Sequence, residues 1–563
     1  MASFSRRQML TTLSSLGIGT AIFQRALAAQ AQDAEKEISV EMISQAEWIA
    51  GLELSDEERK AIVNSLKASQ KNYAALRAVP LDNSVAPAIG FLPRERAVDS
   101  EVRVTATPIE SSPPQVKKES DDLAFLPITE LAALIQTRAI TSVELTKRYL
   151  DRLKKFDPAL KCVVSLTEEL ALKQAEAADK EIASGRYRGA LHGIPWGAKD
   201  ILAVPGYKTT WGAGPYQDQT IDRKATVVQR LESAGAVLLA KLTVGALAMG
   251  DQWFGGMTRN PWNAKQGSSG SSAGSASATV AGLVGFALGT ETLGSIVSPT
   301  RRCSVTGLRP TFGRVSRYGA MTLSWTMDKI GPIARSVEDC ALIFAAICGS
   351  DGLDHSVADR PFAWPVQRDL RDYKVGYFPR RETEVADREE LKVLKDLGVT
   401  LVEMAPLPND PPANAMLTIL NAECSAAFDD LTRKHVLEGI GSWPATFREG
   451  QFIPAVEYLR AARHRAQLVE KMRERMKEVD AYVGGNDLVI TNFSGNPTVV
   501  IPFGTRENDL TGQPQTITMT GRVDGDADLL WLAHHVQQAT TYHLKRPDLQ
   551  AAIKVVNENG EGK

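Results

Sequence analysis

Apolar residues along this chain recur at two periods, and the places where one period gives way to the other mark its elements. Over residues 32–79 the spacing is helical: Ile62, Leu66, Tyr73 and Leu76 share one face behind Ser55-Asp-Glu-Glu58, which has the form of a capping box. Helical spacing returns over residues 128–137 and 143–156, the second opened by Thr141-Ser-Val-Glu144, and a charged helix follows over 168–184. Residues 191–204 change to the apolar, Pro- and Gly-punctuated pattern of a strand carrying Lys199. A short helix over 227–232 and a buried strand over 236–241 come next. This alternation predicts an α/β architecture, a large mixed β-sheet covered by helices. The apolar run 280–288 fits a buried helix end or a strand. Helices over 414–437 and 453–479 surround short strands near 374–378 and 487–491, and residues beyond Asp548 read as a polar tail.

Punctuation divides the chain. Pro87, Pro93, Pro108, Pro113 and Pro114, with Lys117, Lys118 and Glu119, give residues 80–122 the composition of an extended linker. The layout expected is a leader over 1–31, a small helical extension over 32–79, this linker, a main domain over 123–550 and a tail over 551–563. A length of 563 residues allows a large core plus such appendages.

Composition narrows the function. At 43% hydrophobic and 23% charged residues the chain is globular, and 65 basic against 67 acidic residues leave a net charge of -2. No overall field draws it to nucleic acid or to an anionic membrane. Its five cysteines, Cys162, Cys303, Cys340, Cys348 and Cys424, lack metal-site or disulfide-framework spacing and read as free, mostly buried thiols. At the N-terminus, Ser5-Arg6-Arg7-Gln8-Met9-Leu10 leads into a weakly apolar run over 9–23 and an Arg25-Ala-Leu-Ala28 end. That pattern resembles a twin-arginine export signal, which would imply a periplasmic or secreted protein, cytoplasmic only if the signal is silent. No other apolar run is long enough for a transmembrane helix, so stable membrane insertion is not expected once the signal is removed.

The candidate chemistry lies in a Gly/Ser-dense stretch, residues 267–298. It runs Gly-Ser-Ser-Gly-Ser-Ser-Ala-Gly-Ser-Ala-Ser, then the apolar segment, then Gly-Thr-Glu-Thr-Leu-Gly-Ser-Ile-Val-Ser. Small residues on both sides of a buried segment allow close backbone approach, with hydroxyls beside bare amide N–H groups, an arrangement suited to an oxyanion. Upstream stand His192-Gly-Ile-Pro-Trp-Gly-Ala-Lys-Asp200 and Asn260-Pro-Trp-Asn263; downstream stands Cys303-Ser-Val-Thr-Gly-Leu-Arg-Pro-Thr-Phe-Gly-Arg-Val-Ser316.

Together these motifs resemble the amidase signature family, well over residues 123–354 and loosely elsewhere, where Asn492-Phe-Ser-Gly-Asn-Pro497 matches a late family segment. The resemblance implies a large mixed sheet with helices on both faces and a Ser-cisSer-Lys amidase that forms an acyl-enzyme. In an ungapped alignment the nucleophile falls on Ser295, the bridging serine, after a cis peptide bond, on Ser271, and the base on Lys199. Lys199 must then be uncharged at rest, which burial favours. The oxyanion would sit on the backbone N–H groups of Thr292, Leu293, Gly294 and Ser295. The resemblance implies no metal or organic cofactor, a small-molecule or peptide amide as substrate, and no nucleic-acid partner; oligomeric state is left open.

Several departures from the family pattern stand out. Leu293 replaces a glycine, Val297 replaces an arginine, and Ser268, Ser269 and Ala273 stand where proline and glycines are common. Leucine tolerates positive φ poorly, so Leu293 preserves the oxyanion site only if its φ is negative. Gly270-Ser-Ser-Ala-Gly274 also fits a Gly-x-Ser-x-Gly nucleophile elbow centred on Ser272, but the residues ahead of it, Asn263-Ala-Lys-Gln-Gly267, are too polar for the strand that motif needs. His192 reads as structural. Two other functions compete with a free-standing amidase: the glutaminase subunit of a tRNA-dependent amidotransferase, and a catalytically silent amide-binding homologue. The stretch 241–250 lacks the acidic and aromatic residues usual in glutaminases of that kind.

Overall fold

The computed structural model describes residues 37–81, 85–90, 102–109, 120–379, 387–485, 487–505 and 511–558. The export signal expected over residues 1–31 lies outside them. The chain divides at Lys71 and Asn72 into two compact units. The first holds a helix, Val40–Ala46, and the start of α1 (Asp56–Ala78). The capping box of α1 forms as the sequence predicts, with the Ser55 N–H donating to the Glu58 carboxylate at 2.7 Å and the Glu58 N–H to Ser55 Oγ at 3.2 Å. Ile62, Leu66, Tyr73 and Leu76 are all buried. In the second unit, the end of α1 is fastened to the helix Ala455–Arg475: Arg77 pairs with Glu457, and the Leu76 carbonyl lies 2.8 Å from His464 Nε2. The Pro-rich segment contributes a strand here, Val104–Ala106, parallel to Phe362–Trp364.

Eleven strands among the described residues build one mixed sheet in the second unit. In chain order they are β1 (Val163–Leu166), β2 (Pro195–Lys199), β3 (Val237–Leu242), β4 (Phe286–Glu291), β5 (Thr306–Arg309) and β6 (Lys329–Ala334). Then follow β7 (Lys374–Tyr377), β8 (Thr400–Glu403), β9 (Ala481–Val483), β10 (Thr498–Thr505) and β11 (Pro514–Gly521). Their order across the sheet is β8-β7-β9-β11-β10-β5-β6-β4-β2-β3-β1. Every residue of β2, β3, β4 and β6 is buried, which is why these segments read as apolar runs and not as alternating ones. β2 runs parallel to β3 and to β4, while β4 pairs antiparallel with β6, with Glu291 opposite Lys329. The C-terminal ends of β2 and β4 therefore open at one edge of the sheet, where a site is favoured.

The run 280–288 contains both of its candidate elements. Helix α2 (Ala273–Val280) ends there, Gly282 turns at φ +62°, and β4 starts at Phe286. Helix α3 (Val297–Cys303) follows β4 after a short loop. Three expectations are corrected. Residues 487–491 are no strand: Leu488–Ser494 is a helix, α4, stopped by Gly495 at φ +80° and burying Thr491, Asn492 and Phe493. The helix expected over 414–437 is broken at Phe428, φ -123°, into Leu417–Ala427 and Asp429–Arg433. Of the expected polar tail, Leu549–Glu558 is instead a helix, because Leu549 and Ala552 recur at helical spacing and are buried in the main core, and 559–563 lie outside the described residues.

Candidate active site

Lys199 is the last residue of β2, and its side chain is fully buried. Its Nζ lies 2.8 Å from Ser271 Oγ, 3.1 Å from Ser272 Oγ, 2.8 Å from Thr290 Oγ1 and 3.3 Å from the Thr290 carbonyl. All four partners are uncharged oxygens. Burial therefore pulls its pKa down to about 7, against the weaker pull of Asp328 and Glu291 in the other direction. Lys329, the first residue of β6, is also buried and held down to about 7 by burial and by Arg309, but its Nζ is directed to the Met327 carbonyl.

Ser271 precedes α2 and follows a cis Gly270–Ser271 peptide bond, the isomer the sequence reading expects. Only glycine fits at position 270, since a Cβ there would come within 1.8 Å of the Gly250 carbonyl oxygen. The serines around it are not a linker. Ser275 Oγ donates to the Leu288 carbonyl at 2.9 Å and Ser277 Oγ to the Arg259 carbonyl at 2.8 Å, fastening α2 to its neighbours. Ser272, the centre of the competing elbow motif, is fully buried and exchanges hydrogen bonds of 3.1 Å with the N–H and carbonyl of Thr290. Upstream, Trp262 Nε1 donates to the Cys303 carbonyl at 2.8 Å, tying the Asn-Pro-Trp-Asn motif to the end of α3.

Ser295 stands in the loop between β4 and α3 and is 9% exposed. Among the described residues its hydroxyl makes no hydrogen bond, and the N–H groups of Thr292, Leu293, Gly294 and Ser295 donate to no protein acceptor. Four consecutive bare donors in a nearly closed setting form an electropositive cradle. Gly294 allows the turn at φ +92°. The loop is fixed from below by Glu291, whose carboxylate accepts the N–H groups of Ile296 at 2.8 Å and Val297 at 2.9 Å, Arg309 at 3.0 Å and Asn492 at 2.8 Å. Burial alone would raise Glu291, but Arg309, Lys329 and these donors hold it at about 2.

Lys199 and Ser271 are thus in contact, and Ser295 carries its cradle beside Ser272, whose N–H donates to the Ser295 carbonyl at 3.1 Å. His192 takes no part: it is buried, accepts the Arg188 N–H at 3.1 Å and lies 3.4 Å from Glu181. The sequence reading misses Thr290 and Glu291. Both stand in the quoted Gly-Thr-Glu-Thr run, whose strand alternation could have aimed them to opposite sides.

Residues 144–485 match the family described as Amidase. The chain belongs to the amidase family. A relative from Chromohalobacter salexigens, named as one of the subunits of glutamyl-tRNA(Gln) amidotransferase, is 34% identical over 482 residues, covering 75% of this chain and 98% of the relative. Among solved structures, native peptide amidase from Stenotrophomonas maltophilia superposes with a TM-score of 0.66 at 28% identity, over 75% of this chain and 98% of that one. An amidase family protein from Bacillus anthracis gives 0.67 at 26% identity, over 76% and 93%. Against this amidase background the departures take on physical form. Leu293 does not adopt positive φ and keeps its free N–H, while its side chain joins an apolar cluster with Met327, Met416 and Phe493. Val297 is buried and brings no charge.

Proposed function

We propose that this amidase-family chain hydrolyses a carboxylic amide C–N bond through Ser295, Ser271 and Lys199. One observation carries the reading: a buried lysine without a counter-ion donates to Ser271, close to a loop of four free N–H groups that bears Ser295. In the reaction the Ser295 hydroxyl rotates onto Ser271 and attacks the amide carbonyl. Its proton passes to Ser271, whose own proton goes to the neutral Lys199 amine. The carbonyl oxygen becomes negative on the cradle of N–H groups. As the tetrahedral species collapses, the C–N bond breaks and the leaving amine or ammonia takes the proton back along the same route. Water then repeats the sequence on the acyl-enzyme, releasing the acid and restoring Ser295.

The test is turnover of a panel of aliphatic, aromatic and peptide amides by wild type and by Ser295→Ala. Loss of at least about a thousandfold in kcat supports the assignment, and equal rates overturn it.

A second reading, the ammonia-supplying component of an amidotransferase, is favoured by the 34% identity to a relative named for that complex. Against it stands the twin-arginine pattern Ser5-Arg6-Arg7, which supports export to the periplasm. N-terminal sequencing of the cell-purified protein separates the two. A chain starting near Ala29 in the periplasmic fraction supports export; an intact chain in a cytoplasmic complex with partner proteins supports the other.

A further inference from the structure

Thr292 opens the loop of free N–H groups, and its side chain is not idle. Its Oγ1 donates to Asp328 Oδ1 at 2.5 Å, across from β4 to the residue just before β6. The second carboxylate oxygen accepts the N–H groups of Leu323 at 2.8 Å and Ser324 at 3.0 Å. Three hydrogen bonds meet its two oxygens, and these bonds, with Arg317, oppose the burial that raises its pKa. The turn containing Asp328 is itself anchored. Glu423, on the helix Leu417–Ala427, accepts the Thr326 N–H at 3.0 Å and hydroxyl at 2.8 Å. Arg465, on the helix Ala455–Arg475, reaches Thr326 Oγ1 at 2.8 Å.

We propose that Asp328 is a positioning residue of the active site: through the Thr292 hydroxyl it ties the oxyanion loop to a rigid turn held by two helices. A loop whose N–H groups have no internal partners has nothing of its own to fix their direction. Glu291 restrains the loop at its far end, through Ile296 and Val297; Asp328 restrains its near end. Oxyanion donors contribute only while aimed at the developing charge, so this tether acts on the transition state more than on bound substrate.

Asp328 has a second effect through space. The charged groups acting on Asp328, on Lys199 or on their charged neighbours Lys329 and Arg317 include Glu291, Arg309, Glu423, Arg465 and Asp354, which pairs with Arg317; the two acids that favour the charged form of Lys199 are Asp328 and Glu291. Removing the Asp328 charge therefore eases loss of the Lys199 proton, whereas removing the Thr292 hydroxyl leaves that charge in place.

The inference rests on the amidase reading above, and the experiment separates the two. Wild type, S295A, D328N, T292V and T292S are compared by kcat, KM and pH profile on one amide, each after a thermal melt and near-UV circular dichroism. D328N and T292V are expected to lose on the order of tenfold to a hundredfold in kcat with KM changed less than about threefold, and T292S to recover most of it. The acidic limb of the profile moves to lower pH in D328N alone. Wild type without Ser295-dependent turnover removes the amidase reading and this inference with it. Wild type that turns over, with D328N and T292V equal to it or weakened only in KM, overturns the inference alone. Where D328N does not reach the native spectrum, the contrast between T292V and T292S decides.

Discussion

At the scale of a residue, the decisive feature is a lysine whose burial favours the uncharged amine. An ammonium in this position would have to shed its water for four neutral oxygens, and the pKa of about 7 expresses that imbalance. Activity is accordingly expected to rise with pH through about 7 as Lys199 deprotonates, a limb readable in kcat/KM. The same shift bears on stability. The folded value lies below the free value of about 10.4, so between the two the unfolded chain holds a proton that the folded chain does not. Stability from this group thus grows as pH rises from about 7 towards about 10 and is lowest at and below 7. Lys199→Met is expected to abolish turnover yet raise unfolding free energy by up to about 4 kcal/mol near pH 7, the gain shrinking towards about pH 9.5 in urea titrations. Gly294→Ala sets a side chain at φ +92° with Ser298 Oγ only 2.9 Å from the new Cβ. On the order of a hundredfold loss in kcat is expected, measured against an unchanged circular dichroism spectrum.

At the scale of elements, β4, β5, α3 and α4 are locked around one buried carboxylate. Glu291 and Arg309 are both fully buried, and Arg309 also reaches the Asn496 carbonyl at 2.8 Å and Thr498 Oγ1 at 2.6 Å. Arg309→Met strands the Glu291 charge and is expected to cost about 3–5 kcal/mol of stability, seen as a fall in melting temperature; adding Glu291→Gln restores part of it. None of this is legible in the chain. Positions 291, 309 and 492 carry no local pattern linking them, and their meeting is a product of strand order. Lys199, Ser271 and Ser295 are legible because each sits in a dense local motif whose glycines and serines have few other uses. β2 and β3 are legible for a different reason, their unbroken burial. α4 defeats the sequence reading because Leu488-Val-Ile-Thr491 is rich in β-branched residues, and packing of Phe493 and the stop at Gly495 outweigh that propensity.

At the scale of the molecule, the last helix closes the main core. Leu549 and Ala552 are buried, and the helix Leu549–Glu558 packs on the helix Ser142–Leu160 and on the segment Asn263–Gly267 that leads to Ser271. Ending the chain at Asp548 is expected to lower stability by about 2–4 kcal/mol, measured by denaturant titration. No helix among the described residues is long and apolar enough to cross a membrane. The five cysteines bear on where such a chain can work. All are unpaired and buried, and burial pushes every thiol up, so none presents the thiolate that reacts. The native enzyme is expected to ignore iodoacetamide and to turn over equally in dithiothreitol and in oxidised glutathione. A protein built this way needs no oxidoreductase to reach its native state.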